Sequence, residues 1–77
     1  MALKLQKFAP IDREFPIYEI VDDNGEVLLD VTRSDEGTLE LGLQKNSQNR
    51  VIPLKEVLTL IEQACRLLEL EGPPAKA

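Results

Sequence analysis

The stretch RVIPLKEVLTLIEQACRLLELE, Arg50 to Glu71, decides the fold. Leu54, Val57, Leu58, Ile61, Ala64, Cys65 and Leu68 recur at i, i+3, i+4 and i+7, the spacing that gathers side chains on one face at about 100° per residue. One amphipathic helix is predicted, with an apolar stripe that another element must cover. Pro53 suits a first helical position, where its missing N–H costs nothing, and it holds Ile52 in an extended conformation. Gly72, Pro73 and Pro74 stop the helix. Leu60, Leu67 and Leu70 fall outside the stripe, roughly 100° or more round from its centre, and Ala64 bridges the two rows. The simplest cover for this second strip is the same helix of another copy, which makes Leu60, Ala64 and Leu67 the expected dimer interface. The alternative is that the N-terminal segment folds over them.

Upstream lies PIYEIVDDNGEVLLDVTR, Pro16 to Arg33. Asn24 and Gly25 separate two runs rich in β-branched and aliphatic residues, the pattern of a hairpin closed by a two-residue type I′ turn. That turn sets Tyr18 opposite Val31, Glu19 opposite Asp30, Ile20 opposite Leu29 and Val21 opposite Leu28. Tyr18, Ile20, Val27, Leu29 and Val31 then share the face turned to the helix. Asp35, Glu36 and Gly37 fit a three-residue loop with glycine in the left-handed region, leading into a strand whose Leu39, Leu41 and Leu43 continue the inward row. KNSQN, Lys45 to Asn49, is a polar loop, and Arg50 to Ile52 a short fourth strand. Before the hairpin, Leu3 and Leu5 alternate with Lys4 and Gln6 as in a short strand, which Pro10 and Pro16 interrupt. The expectation is an α+β fold of order ββββα, an antiparallel four-stranded sheet packed on one C-terminal amphipathic helix. Residues 1–15 form an arm or extra strand, 16–72 the domain and 73–77 a frayed tail.

Composition bounds what such a domain can do. Seventy-seven residues, 43% hydrophobic and 30% charged, suit one soluble globular unit. A chain this short buries a small share of its surface, which also favours a homodimer. No apolar run approaches the roughly 20 residues of a membrane span, and MALKLQKF lacks the apolar core of a signal peptide, so the expected location is cytoplasmic. The one cysteine, Cys65, lies on the helix stripe and reads as a small core side chain. Without histidine or a second cysteine, the common zinc sites and the Cys-His and Ser-His nucleophile arrangements are unavailable. DDNG fails as a calcium loop, because an EF-hand register on Gly25 puts Ile20 where the first aspartate belongs. No enzyme activity and no cofactor are expected.

The outward sheet face carries Glu19, Asp30 and Glu40 beside Ile17, Thr32, Val21 and Leu28. Glu19 and Asp30 are cross-strand neighbours of like charge, which is mildly destabilising unless something offsets it. Gly42 lies beside Asp30 and leaves a gap that a lysine or arginine of a partner could enter.

The run of Tyr18, Gly25, Glu26, Val27, Leu28, Leu29, Asp30 and Val31, a further strand and the helix entry RVIPLKEVLTLIEQA resembles the single-stranded DNA-binding domain of the transcriptional coactivator positive cofactor four, and is similar in layout to the Pur-alpha repeat. The resemblance covers about residues 16–70. It implies a ββββα dimer presenting a curved sheet to single-stranded nucleic acid. No residue carries over from the family as a nucleic-acid contact, and Lys45, Arg50 and Lys55 are expected to form a small basic patch near the helix entry. Single-strand recognition needs a basic groove and stacking aromatics. Nine Lys and Arg against fourteen Asp and Glu, a net charge of −5, oppose it. The first reading is therefore a non-catalytic protein-interaction module, inhibitor or immunity-like, capturing a basic partner through Glu19, Asp30 and Glu40. Single-stranded nucleic acid is the alternative ligand.

Overall fold

The computed structural model describes residues 2–71. Four strands, β1 (Lys4–Phe8), β2 (Ile17–Val21), β3 (Val27–Arg33) and β4 (Leu39–Leu43), precede one helix, α1 (Leu54–Glu71). The strands form an antiparallel meander in the order β1-β2-β3-β4. The expected α+β class and ββββα order hold, but the fourth strand is a different one. The N-terminal segment enters the sheet as β1, beside β2, whereas Arg50 to Ile52 is not a strand. After β4 the chain wraps over the end of the β2–β3 hairpin. A 3-10 turn at Lys45–Ser47 carries it there, and Asn49 takes a left-handed φ of 60°. Bonds from Gln44 N–H to the Leu28 carbonyl (3.0 Å) and from Asn46 Nδ2 to the Val27 carbonyl (3.3 Å) hold this crossing, so Arg50 to Ile52 runs toward the helix instead of along a strand.

The β2–β3 and β3–β4 hairpins close with three-residue loops. Gly25 N–H donates to the Asp22 carbonyl at 3.0 Å and Asp22 N–H to the Glu26 carbonyl at 3.1 Å. Gly25 has φ +80°, while Asn24 is not in the left-handed region that a type I′ turn requires at both central residues. The expected two-residue turn is thus a longer loop over Asp23–Gly25, which slips the pairing by one residue and sets Val21 opposite Val27. A bulge next to Ile20 restores the predicted register, with Ile20 opposite Leu29, Glu19 opposite Asp30 and Tyr18 opposite Val31. Leu28 is the extra residue in this bulge. Expected on the outer face, it is instead fully buried beside Ile20, Leu29 and Val57. The β3–β4 loop forms as predicted, with Gly37 at φ +90° and Ser34 N–H donating to the Thr38 carbonyl at 2.8 Å.

The core lies between the sheet and α1 in two adjoining clusters. Phe15, Tyr18, Val31, Ala64 and Leu68 make one, and Ile20, Leu28, Leu29 and Val57 the other, with Leu5 and Ile61 packed against both. Fully burying a leucine or isoleucine contributes about 1.5–3 kcal/mol, so Ile20, Leu28 and Leu68 are principal anchors. The guanidinium of Arg33 lies 5.5 Å from the Phe15 ring centroid and closes one end of the first cluster. At the helix start the Pro53 carbonyl accepts the Val57 N–H at 3.1 Å, so Pro53 occupies the cap position, one residue earlier than expected. The Gly72–Pro74 stop signal and the expected tail, 73–77, lie outside the described residues.

α1 packs chiefly on β3, and β1 and β2 complete its seat. Glu56 accepts the Leu3 N–H at 3.2 Å, and Glu71 pairs with Lys7 Nζ at 3.3 Å, so this flank of the helix faces β1. Leu60 belongs to the same flank and packs against the core with Leu3 and Leu5. Among the described residues no helix is long and apolar enough to cross a membrane.

Candidate functional site

Register assembles one transverse row on the outer sheet face: Gln6 on β1, Glu19 on β2, Asp30 on β3 and Gly42 on β4. Glu19 and Asp30 are direct neighbours, as their spacing in the sequence requires. Each carboxylate accepts a bond from an amide: Glu19 Oε1 from Gln6 Nε2 at 2.8 Å, and Asp30 Oδ2 from Gln44 Nε2. These neutral donors orient the two carboxylates and leave their charge uncompensated. The expected cavity beside Gly42 is filled by Asp30 itself, since a Cβ built on Gly42 would collide with the Asp30 carboxylate. The missing side chain at 42 therefore makes room for an internal carboxylate, and a cation from a partner would meet Asp30 from the solvent side. Glu40 sits one pair further on, opposite Thr32, and is exposed.

The same face carries a residue that the sequence reading passed over. Phe8 pairs with Ile17 and is 51% exposed. Extending the Leu3/Leu5 alternation by one step puts Phe8 on the side of Lys4 and Gln6, so the signal was present in period 2. Arg13 also reaches this surface, with Nη2 within 3.5 Å of Thr32 Oγ1, whose hydroxyl donates to the Pro16 carbonyl at 3.0 Å.

At the end of the β2–β3 hairpin, Asp22 is buried and serves as a structural anchor. Its Oδ1 accepts the N–H groups of Asn24 (2.9 Å) and Glu26 (3.0 Å), and its Oδ2 pairs with Arg50 Nη1 at 2.9 Å. Burial pushes the Asp22 pKa up, but the Glu26 amide, the Arg50 guanidinium and the Asn24 amide together outweigh it and hold the carboxyl below its ordinary 3.8. Arg50 also lies 3.8 Å from Glu26. Of the three residues expected to form a basic patch, Arg50 is thus committed to the hairpin end, while Lys45 in the 3-10 turn and Lys55 in the first helical turn are exposed.

The expected helix interface is divided between roles. Ala64 has no exposed surface and belongs to the chain's own core, and Leu60 packs against that core beside Leu3 and Leu5. Leu67 alone of the three is exposed, at 37%. The N-terminal strand thus supplies cover for Leu60 from within one chain.

Comparison with family models, with curated proteins and with solved structures finds no match to this chain. Among the described residues no group of three or more histidine, cysteine, aspartate or glutamate side chains is arranged to hold a metal ion.

Proposed function

We propose that this protein is a non-catalytic interaction module whose outer sheet face binds a basic protein partner. The observation that carries this reading is the Glu19–Asp30 pair, two adjacent carboxylates fixed by the amides of Gln6 and Gln44 and set on regular strands. Holding like charges side by side costs stability, and a lysine or arginine side chain between them would relieve it while gaining charge-assisted bonds. Phe8 adds an exposed aromatic anchor on the same face, the residue class that concentrates binding energy at interfaces. Size and charge suit a protein that masks a cationic partner, as an inhibitor or immunity protein does. Positive cofactor four-like binding of single-stranded nucleic acid is less favoured. Arg50 is engaged by Asp22, and the outer face sets Glu19, Asp30 and Glu40 where phosphates would lie.

The test is calorimetric titration with an arginine- and lysine-rich peptide, and separately with a mixed-sequence single-stranded oligonucleotide, at low and physiological salt. Peptide binding that weakens about tenfold or more, some 1.4 kcal/mol, in Glu19→Gln/Asp30→Asn supports the reading. Oligonucleotide binding lost on replacing Lys45 and Lys55 would transfer the function to the alternative. Peptide affinity unchanged in the double variant removes the sheet face from consideration.

A further inference from the structure

The helix does not cover the whole sheet. Along the inner face the β2 and β3 residues Tyr18, Ile20, Leu29 and Val31 are buried, but Leu41 and Leu43 of β4, in the same rows, are 53% and 74% exposed, and Leu39, opposite Arg33, is 39% exposed. One flank of α1 faces β1 through Glu56 and Glu71, so Leu54 and Leu58, which lie across the helix at 100° per residue, turn toward β4. Both are exposed. Five exposed leucines therefore line the inner side of β4 and the helix flank turned toward it, the kind of apolar surface that marks an interaction site.

β4 is also the last strand of the sheet, and among the described residues no strand pairs with its outer edge. Edges that must stay unpaired usually carry lysine, proline or a bulge. Thr38 to Gln44, TLELGLQ, has neither residue, and its pairing with β3 is regular from Leu39 to Leu43. The direction of the backbone groups follows from two bonds. Gln44 N–H donates to the Leu28 carbonyl and Ser34 N–H to the Thr38 carbonyl, so the even-numbered residues of this segment turn toward β3. Both polar groups of an antiparallel residue point to the same side and alternate along the strand. Leu39, Leu41 and Leu43 therefore present their N–H and C=O groups to the free edge.

We infer that the occupant of this surface is a second copy of the chain, joined edge to edge through β4 about a two-fold axis at Leu41. The parity permits it. A two-fold at Leu41 pairs Leu41 with Leu41 and Leu39 with Leu43, and every residue so paired has its backbone groups directed outward. An axis at Glu40 or Gly42 would also oppose outward-directed residues, Leu39 with Leu41 or Leu41 with Leu43, but would engage only two of the three leucines of each copy, and at Glu40 it would set the two Glu40 carboxylates against each other. In the Leu41 register Glu40 faces Gly42 of the second copy, so the two Glu40 side chains are offset from each other, and the carboxylate nearest each is the Asp30 seated at Gly42 across the seam. On the inner face the leucines of both β4 strands lie between the two helices. With strands about 4.8 Å apart, β3 of one copy is about 14 Å from β3 of the other. Helices seated over them, about 10–12 Å across, leave a cleft that leucine side chains fill. The result is one continuous eight-stranded sheet carrying both acidic outer faces. This interface is independent of the basic-partner reading and differs from a helix interface through Leu67.

Two measurements on the full chain test it. Light scattering after size exclusion should give the mass of two chains for the unaltered protein and for Leu67→Glu, and of one chain for Leu41→Lys and Leu43→Lys. Amide exchange should find Leu39, Leu41 and Leu43 slowed as much as Glu40 and Gly42 in the unaltered dimer, and fast in the lysine variants, whose β1–β3 amides remain protected. A single-chain mass at several hundred micromolar overturns the proposal. So does a dimer that survives Leu41→Lys but dissociates in Leu67→Glu, or one in which the three leucine amides exchange freely. Should a lysine variant fail to fold, the exchange pattern of the unaltered chain still decides.

Discussion

Asp22 gathers more bonds than any other side chain of the outer hairpin end, and its ionisation contributes to stability toward acid. Its carboxyl binds protons less readily in the folded chain than in the unfolded one, so near pH 4 the unfolded state takes up more protons. The stabilisation is therefore complete above the ordinary value of 3.8 and is lost as pH falls through the lower folded-state value. Urea midpoints measured from neutral pH down to pH 2 should fall across that window, and Asp22→Asn should lower the midpoint at neutral pH while flattening this acid limb. Tyr18 works at the other end of the scale. Burial, then the hydrogen bond to Glu71 and the charge of that carboxylate, push its phenol from 10.0 up to about 12. A folded pKa above the unfolded one gives a contribution that is present below pH 10 and lost as pH rises through 12. The ultraviolet phenolate band should therefore titrate near 12 in the folded protein, and Tyr18→Phe should remove the alkaline limb of the stability curve.

Among the elements, α1 shows how far periodicity reaches. The stripe Val57, Ile61, Ala64 and Leu68 faces the sheet as the spacing requires, while Leu54 and Leu58, members of the same predicted stripe, are exposed. Helical spacing fixes which residues share a face, but the width of that face in contact depends on where the helix sits over the sheet. Here it sits over β3 with β1 on one flank, and β4 is left open. Leu68→Ala should cost about 2–5 kcal/mol, because a side chain without exposed surface leaves a cavity. Leu54→Ala should change the stability of the single chain by no more than about 0.5 kcal/mol, as for ordinary surface sites. Chemical denaturation of both variants at low protein concentration checks the contrast. A similar displacement occurred in the sheet. Alternation in Leu3 to Phe8 was enough for a strand, but nothing local says that this strand takes the edge position beside β2, which the Arg50–Ile52 segment does not fill.

For the whole molecule, a net charge of −5 sets a negative field that speeds encounter with cationic proteins and slows it with phosphates. The association rate of the basic peptide should fall with ionic strength, and most of that dependence should remain in Phe8→Ala, which removes contact area without charge. Stopped-flow mixing at several salt concentrations separates the two effects. An edge-joined dimer would double the charge and bring two copies of the Glu19–Asp30 pair onto one surface.

The class, the two hairpins, the Glu19–Asp30 pairing, the Asp30–Gly42 neighbourhood and the buried stripe of α1 were legible in the sequence. Each depends on residues close in the chain or on a period, and local backbone geometry fixes both. Only the tertiary structure decided the rest. Leu28 turned inward because a longer loop and a bulge together kept the register. Arg50 met Asp22 because the β4–α1 crossing passes over the hairpin end. Asp30 filled the space at Gly42 because a side-chain rotamer is chosen by its surroundings. The open leucines of β4 arose because one helix is narrower than a four-stranded sheet, and which strand it leaves bare depends on packing between distant segments.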